Sequence, residues 1–438
     1  MERDEAENAD QEQERAGVVS RRVFLKSAGR LGALLAVAPA ALAIDARAQT
    51  AQAPAGAPSS APTATPAAPP LPGPVVTNAA VIVEKDPVMK VLTERPLTAN
   101  ATAENLNDAV TPANRLFIRN NLLTPDLQAA GHTLTVKGLV DKQMTFTIDD
   151  LKSAFPAVTV QGMLECAGSG RTAFSPLPKG TPWSSSGGYG CPAWTGARLR
   201  DILKAAGVKP AAVHAAFFGA DFGELPTAPP VVRSIPLKKA MEPNTLVAWA
   251  INGEPLPKVH GFPLRMIVPG WVGSASTKWL FGIELLDAPF KGTYMDDSYR
   301  VPAHPIAPGE KMPKESVSTE AWPVKSVITS PAPGAKFKIG DGIAVAGKAW
   351  AGDNGIVKVE ISLDEGITWK RATLAKPGDK YAWRLFTYTA RLQRQGYVTI
   401  LARATDSKGN IQPIAAVWNP LGYFWNGIHR VGVTIEKA

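Results

Sequence analysis

The stretch Gly162-Met163-Leu164-Glu165-Cys166-Ala167-Gly168-Ser169-Gly170-Arg171 places a cysteine between a short apolar run and a Gly/Ser-rich turn. Gly168 and Gly170 permit tight backbone geometry, so the thiolate of Cys166 can project from a strand end into a cavity. Thiolate sulfur suits transition metals and a guanidinium suits an oxyanion, so this stretch indicates a metal-dependent redox site for an oxoanion. A disulfide with Cys191, the other of the chain's 2 cysteines, is the alternative at this point.

The chain has 438 residues, enough for two or three domains with a substantial core. Its 39 prolines and 38 glycines favour strands and turns over long helices.

The N-terminal residues have the pattern of an export signal. Ser20-Arg21-Arg22-Val23-Phe24-Leu25-Lys26 precedes an apolar run over 31–44, and Ala46-Arg47-Ala48 fits a signal peptidase site. We therefore expect residues 1–48 to be a twin-arginine signal, with an ordinary Sec signal as the alternative, and the mature protein to be periplasmic. The apolar run is too short for a membrane span, and none is expected after signal removal. Residues 49–80 are Ala/Pro-rich and predict a disordered linker.

The mature chain is more basic than the full chain. Removal of residues 1–48 takes away 7 basic and 8 acidic side chains, so the formal charge rises from +9 to +10. A basic surface suits an anionic substrate or an acidic protein partner. Nucleic acid is a poor alternative, because the protein is expected outside the cytoplasm and has no concentrated Lys/Arg tract.

Residues 81–315 predict a mixed α+β domain. Residues 133–140 alternate as a strand, and a helix capped by Asp149 or Asp150 follows the strand-like segment at 146–148. A second helix over 198–203 ends at Gly207, and 214–218 and 264–268 are typical of buried strands.

Residues 316–438 predict an immunoglobulin-like β-sandwich. Short strand-like segments separated by Gly/Asp/Pro turns occur at 324–328, 342–350, 356–363, 380–390 and 396–404.

Four further clusters carry residues suited to anion chemistry. They are Arg119 with Asn120 and Asn121, the segment 260–279 with its basic side chains and Gly/Ser turn, Tyr299, and Arg430. The spacing of 260–279 excludes a P-loop and a dinucleotide fingerprint. Each cluster alone is as well explained by ordinary surface or loop structure.

The clusters together are similar to the sulfite oxidase family of molybdopterin enzymes, with exported bacterial sulfite dehydrogenases as the nearest branch. The matching motifs are Arg119-Asn120, Cys166 to Arg171, Asn252 to Arg265, Pro269 to Gly273, Lys278 to Leu280, Ser362 to Trp369, Ala382 to Leu385, Trp418 to Pro420 and His429 to Val431. The resemblance covers residues 95–438, and it implies a molybdopterin-binding domain followed by a dimerisation domain through which the chain would form a homodimer.

The resemblance also implies roles for individual residues. Cys166 would be the single protein ligand to molybdenum, and Arg119, Arg171, Arg430, Tyr299 and Trp183 would surround the substrate. The residues expected to hold the molybdopterin are Phe117, Arg119, Asn121, Cys166, His260, Arg265, Gly273, Ser274, Ser276 and Lys278. The implied reaction is oxidation of sulfite to sulfate by oxygen-atom transfer.

Two departures from the family pattern matter. Asn121 stands where many members have a histidine, and no Cys-x-x-Cys-His haem motif is present. We therefore expect no haem in this chain and a separate cytochrome c as electron acceptor. A molybdenum reductase for nitrate or methionine sulfoxide and a cofactor-free periplasmic binding protein are the alternative functions. Cys191 is expected to be structural.

Overall fold

The computed structural model describes residues 75–437. The predicted export signal and residues 49–74 of the predicted linker lie outside the described residues. The end of that linker is ordered, contrary to the prediction, because Thr77 caps a helix that begins at Asn78. Val81 of this helix packs in a small core with Leu97 and Ile118, and this burial stabilises the segment.

Five α-helices occur among the described residues. They are α1 (Asn78–Val83), α2 (Ile148–Ala154), α3 (Leu199–Ala206), α4 (Leu237–Ala240) and α5 (Thr293–Asp296).

Seventeen strands belong to the first domain and its connection to the second. They are β1 (Lys90–Thr93), β2 (Thr98–Asn100), β3 (Ile118–Arg119), β4 (Thr133–Gly138), β5 (Met144–Thr147), β6 (Ala157–Gln161), β7 (Leu164–Glu165), β8 (Tyr189–Gly190), β9 (Ala193–Arg198), β10 (His214–Gly219), β11 (Val232–Pro236), β12 (Leu246–Ile251), β13 (Glu254–Pro255), β14 (Arg265–Ile267), β15 (Leu280–Leu286), β16 (Arg300–Pro302) and β17 (Ser316–Ser318).

Nine strands form the second domain. They are β18 (Lys325–Ser330), β19 (Lys336–Lys338), β20 (Gly342–Trp350), β21 (Ile356–Ser362), β22 (Lys370–Arg371), β23 (Thr373–Leu374), β24 (Arg384–Arg391), β25 (Gly396–Asp406) and β26 (His429–Glu436).

The first domain is built on two larger sheets and helices packed against them. One sheet has the order β11-β10-β15-β4-β5, with β15 parallel to β4 and the other pairs antiparallel. The other has the order β13-β12-β9-β6, with β14 paired to β12. This mixed arrangement confirms the predicted α+β class.

The two predicted helices of this domain form, with one change at a cap. Thr147 caps α2, because its hydroxyl accepts from the Asp150 backbone N–H while the Asp150 carboxylate accepts from the Thr147 N–H. The cap is therefore Thr147 and not Asp149 or Asp150, which the sequence predicts. Helix α3 ends at Ala206, and Gly207 caps it with a φ of +72°, which is favourable for glycine.

The second domain is the predicted β-sandwich. A sheet of order β18-β20-β24-β23 faces one of order β19-β26-β25-β21-β22. Their inner faces bury a core that includes Val345, Ile361, Phe386 and Val433. The strand expected over 380–390 begins later, at Arg384.

Short elements at the edge of the first domain position the Cys166 stretch. Strand β7 pairs with β8, and the chain leaves it at Cys166, whose backbone N–H donates to the Gly188 carbonyl at 2.9 Å.

Among residues 75–437, no helix combines the length and the apolar character needed to cross a lipid bilayer.

Candidate active site

One small cavity, with a volume of about 60 Å³, collects most of the residues that the sequence singled out. Its lining residues are Phe117, Arg119, Asn121, Leu164, Cys166, Ala167, His260, Arg265, Gly273, Ser274, Ser276, Lys278 and Tyr299. These residues come from four separate stretches of chain, so the fold brings together what the sequence only suggested.

The thiol of Cys166 opens into this cavity as a free sulfur. Both Cys166 and Cys191 are buried and unpaired with each other, so the disulfide alternative is wrong. Cys191 packs in a different core cluster, with Trp350 and Trp383, and burial raises the pKa of its thiol to about 12. The two cysteines therefore occupy different environments, and Cys166 alone faces the cavity.

The cavity wall is strongly cationic. Arg265 is 2% exposed and donates to the carbonyls of His260 (2.8 Å) and Ser276 (3.1 Å). Lys278 donates to the Asn120 side chain and to the Val259 carbonyl at 3.0 Å. None of the described lining residues is acidic. These cations thus have backbone and amide acceptors within the wall, and a carboxylate that acts on Lys278, that of Asp221, is buried outside the wall.

Burial shapes the protonation of these groups. It lowers the pKa of Arg265 to about 9 and the pKa of Lys278 well below its usual range. Burial also lowers the pKa of His260 well below its usual range, and the nearby charges of Lys85 and Lys278 act in the same direction. An anion bound in the cavity would stabilise the charged forms of Arg265 and Lys278.

A tight turn at Gly273–Ala275 closes the cavity on the side of Cys166. A Cβ added to Gly273 would lie 2.9 Å from the Glu165 carbonyl oxygen, so only glycine allows this approach. The hydroxyl of Ser276 accepts from the Val268 N–H at 3.0 Å. By contrast, the buried Ser274 hydroxyl has no hydrogen-bond partner. An orphaned buried hydroxyl in a cationic cavity indicates a polar ligand.

Tyr299 reaches the cavity from the connection between the domains. Its hydroxyl lies 3.0 Å from Asn121 Nδ2, and its φ is +54°, in the left-handed region that a tyrosine rarely adopts. Tyr423 of the sandwich stacks on its ring with a centroid distance of 5.6 Å. Asn121, which stands at the position of a family histidine, therefore fixes the phenol.

Two predicted substrate residues lie close to the cavity but do not line it. Arg171 is buried and donates to the carbonyls of Leu421 (3.0 Å) and Thr181 (2.8 Å). Trp183 is fully buried behind Phe117, in edge-to-face contact at a centroid distance of 5.8 Å. Trp183 therefore supports the cavity wall from behind, while the Arg171 guanidinium lies over the Tyr423 ring at 5.5 Å from its centroid.

Arg430, which the resemblance places at the substrate, does not line this cavity. It lies at the start of β26 with its side chain 46% exposed, and its guanidinium is 3.3 Å from the Glu365 carboxylate. Neighbouring residues of β26 alternate inward and outward, and Arg430 points out of the sandwich while Val431 points in. The strand pattern therefore explains its surface position, which the motif around it did not reveal.

The sequence does not predict three polar residues that lie near the cavity. Lys85 is buried, with its Nζ 2.6 Å from His260 Nε2, and no local pattern marks it. The side-chain oxygen of Asn120 accepts a hydrogen bond from the Lys278 ammonium, although the sequence indicates Asn120 only as part of the Arg119-Asn120 motif. Asp221 follows the end of β10, a position where functional side chains often occur, and burial raises its pKa.

The residues present fit a phosphate-bearing cofactor whose metal is bound by sulfur. Cys166 supplies a free thiol, Arg265 supplies a buried cation and Lys278 a half-buried one without a carboxylate in the wall, and Ser274 supplies an unpaired hydroxyl. A thiolate is a soft ligand for a transition metal, and clustered donors are what a phosphate requires. This is the donor set that molybdopterin-bound molybdenum needs.

Comparison with known proteins agrees with this class. Residues 121–294 match the oxidoreductase molybdopterin binding domain, and residues 316–436 match the Mo-co oxidoreductase dimerisation domain. The fold and the site thus define a molybdopterin oxidoreductase with a dimerisation domain.

Individual relatives narrow the class to a family. The chain is 36% identical to the mitochondrial sulfite oxidase of Drosophila melanogaster over 80% of this chain and 64% of that protein. It is 33% identical to the sulfite oxidase of Gallus gallus over 79% of this chain and 78% of that protein. The chain belongs to the sulfite oxidase family.

A solved bacterial structure shares the fold over most of this chain. The sulfane dehydrogenase SoxCD from Paracoccus pantotrophus matches with a TM-score of 0.69 and 27% identity, over 85% of this chain and 95% of that chain.

Proposed function

We propose that this protein is a molybdenum-dependent sulfite dehydrogenase that oxidises sulfite to sulfate. The observation that carries the proposal is the free thiol of Cys166 in a cavity with cationic but no acidic side chains among its described lining residues, in a member of the sulfite oxidase family. The chain spans 64% of the fly relative's length, so its activity is inferred from its own site together with family membership.

The lining residues divide into two groups in this proposal. Cys166 holds the metal, while His260, Arg265, Ser274 and Lys278 hold the pterin and its phosphate. Arg119 and the Tyr299 hydroxyl face the substrate and orient its oxygens. Bound molybdenum supplies the oxygen-atom transfer chemistry and accepts two electrons.

The test is a sulfite assay on purified protein whose molybdenum content has been measured. We expect one molybdenum per chain and sulfite-dependent reduction of an acceptor. Faster turnover with nitrate or methionine sulfoxide under reducing conditions would establish the reductase alternative. Absence of metal after maturation in a host that makes molybdopterin would instead establish a cofactor-free binding protein.

A second candidate is oxidation of a sulfane sulfur, as named for the SoxCD neighbour. The observation favouring it is that only Arg119 of the three predicted substrate arginines lines the cavity. With Arg265 and Lys278 assigned to the pterin and its phosphate, one guanidinium is left to compensate the charge of the dianion sulfite. Comparing kcat/KM for sulfite and for glutathione persulfide on the same preparation decides between the two, and a higher value for the persulfide would favour the sulfane reaction.

The proposed location is the periplasm, reached by the twin-arginine route, and the proposed acceptor is a separate cytochrome c. The twin-arginine pattern at Arg21 and Arg22 supports the location, and the formal charge of +10 after residue 48 supports an acidic partner. We expect the rate of reduction of an acidic cytochrome c to fall as ionic strength rises. A rate independent of salt would contradict electrostatic docking.

A further inference from the structure

The residue directly before Cys166 forms a buried ion pair with the second domain. Glu165 is fully buried, and one of its carboxylate oxygens lies 2.7 Å from Nζ of Lys325, which is 1% exposed. The other oxygen accepts from Trp350 Nε1 at 2.8 Å. Both partners belong to the sandwich, on β18 and β20, so the sandwich binds both oxygens of a side chain next to the cavity cysteine.

Aromatic rings shield this pair from water. Lys325 Nζ lies 5.6 Å from the ring centroid of Tyr189, 5.7 Å from that of Trp350 and 5.2 Å from that of Trp425. Its ammonium also donates to Ser169 Oγ at 3.2 Å, three residues beyond Cys166. In such dry surroundings each charge depends on its partner, because water cannot replace it.

The sandwich touches the rest of the cysteine loop, which we define as residues 165–171. The Phe424 N–H donates to the Ala167 carbonyl at 3.0 Å. Trp425 covers Gly170 so closely that an added Cβ would lie 2.6 Å from its ring. The Leu421 carbonyl accepts from Arg171 Nε. The loop is therefore held on both sides of Cys166 by residues of the second domain.

We propose that Glu165 and Lys325 are a positioning pair that holds the Cys166 sulfur in the place from which it binds the metal. The second domain, matched as a dimerisation domain, thereby forms part of the redox site within the same chain. This inference rests on the proposed role of Cys166 as the metal ligand.

The first test measures the reactivity of Cys166 in cofactor-free full-length protein. Iodoacetamide labelling of Cys166 is followed by peptide mass spectrometry, and each rate is expressed relative to that of wild type. In Lys325→Met we expect labelling of Cys166 to be about tenfold faster, because an uncompensated buried carboxylate loosens the loop that carries it. Glu165→Gln changes no heavy-atom count and should give a smaller increase, about threefold, since it leaves a neutral acceptor for the lysine.

The control is Lys348→Met, which removes another buried lysine of the same domain. Lys348 lies 3.5 Å from the Trp383 ring centroid and donates to the Asp108 carbonyl, without contact to the cysteine loop. We expect its Cys166 labelling rate to stay within about twofold of wild type. The double variant Glu165→Gln/Lys325→Met removes both charges. Its Cys166 labelling rate should fall most of the way back to that of wild type, since neither charge is left unpaired.

The second test examines the holoenzyme. Electron paramagnetic resonance of dithionite-treated protein should show an altered molybdenum signal in Lys325→Met and a wild-type signal in Lys348→Met. This readout needs no sulfite. The positioning pair can therefore fail its test while the proposed activity stands, and the proposed activity can fail its test while the positioning pair stands.

Each outcome decides the proposal. Faster labelling in the single variants that is reversed in the double variant supports the positioning pair. Wild-type labelling of Cys166 in folded Glu165→Gln and Lys325→Met would overturn it. If Lys325→Met does not fold, Glu165→Gln decides alone by the same criterion. Equal acceleration in single and double variants would also overturn it, because the charges would then not be coupled.

Discussion

The cavity around Cys166 and the junction between the domains both bury lysine side chains, but they surround them differently. At the junction, Lys325 meets the Glu165 carboxylate and Lys239 meets Asp353 at 2.7 Å. In the cavity, Arg265 meets carbonyls only, while Lys278 meets a carbonyl and an amide and also feels the buried carboxylate of Asp221. Burying a charge without a counterion is costly, so Arg265 indicates where an anionic ligand binds, and the junction cations indicate where the protein provides its own anion.

The two cysteines give the largest contrast between these regions. Cys166→Ser should abolish sulfite-dependent turnover, because a hydroxyl is a poor ligand where a soft thiolate is required. Cys191→Ala in the junction should keep turnover near wild type. The measurement is acceptor reduction per bound molybdenum, and normal turnover by the serine variant would contradict the ligand assignment.

The second largest contrast is expected between a lysine of the cavity and a lysine of the junction. Lys278→Met should weaken retention of the pterin by about a hundredfold, because it removes one partner of a desolvated charge–phosphate contact worth about 2–5 kcal/mol. Lys348→Met, at the junction, serves as the matched control and should retain it. Pterin and molybdenum content of the purified variants checks this. Full occupancy in Lys278→Met would place the phosphate elsewhere.

His429 lies near Lys325 of the junction and is neutral in the folded protein at pH 7, so the free energy of unfolding should depend on pH. Burial, with the charge of Lys325, lowers the pKa of His429 to about 4, and its Nδ1 accepts from the Ile328 N–H at 3.1 Å. The unfolded chain binds this proton from about pH 6.5 downward, so the free energy of unfolding should fall by roughly 3 kcal/mol between pH 6.5 and 4.

His429→Asn isolates this contribution, because the asparagine retains an acceptor without titrating. Urea unfolding at pH 7 and at pH 4 should show a smaller loss in the variant than in wild type. An equal loss in both proteins would mean that other groups cause the acid sensitivity.

The smallest contrast concerns two arginines. Arg119→Ala should raise KM for sulfite by about tenfold or more, since a charge-assisted hydrogen bond contributes about 1.5–3 kcal/mol. Arg430→Ala should leave KM unchanged, because its exposed pair with Glu365 contributes about 1 kcal/mol or less and lies outside the cavity. Steady-state kinetics of both variants checks this, and equal effects would return Arg430 to the substrate site.

Local sequence signals found most of the cavity. The glycines and donors of the 260–278 segment, the cysteine stretch and the Arg119 cluster each lie within a few residues of chain, and the cavity contains them together. The sequence missed Lys85 because it contacts His260 across 175 positions and has no pattern of its own. It did not show that Arg430 is exposed, because a motif does not tell which face of a strand a side chain occupies.

The sequence by itself determined the α+β and sandwich classes and the residue types that a metal–pterin site requires, because periodicity, turns and ligand chemistry are local properties. Only the tertiary structure decided which charges are balanced. Glu165 and Lys325 are 160 positions apart, and whether a buried ion meets its counterion depends on how distant strands pack.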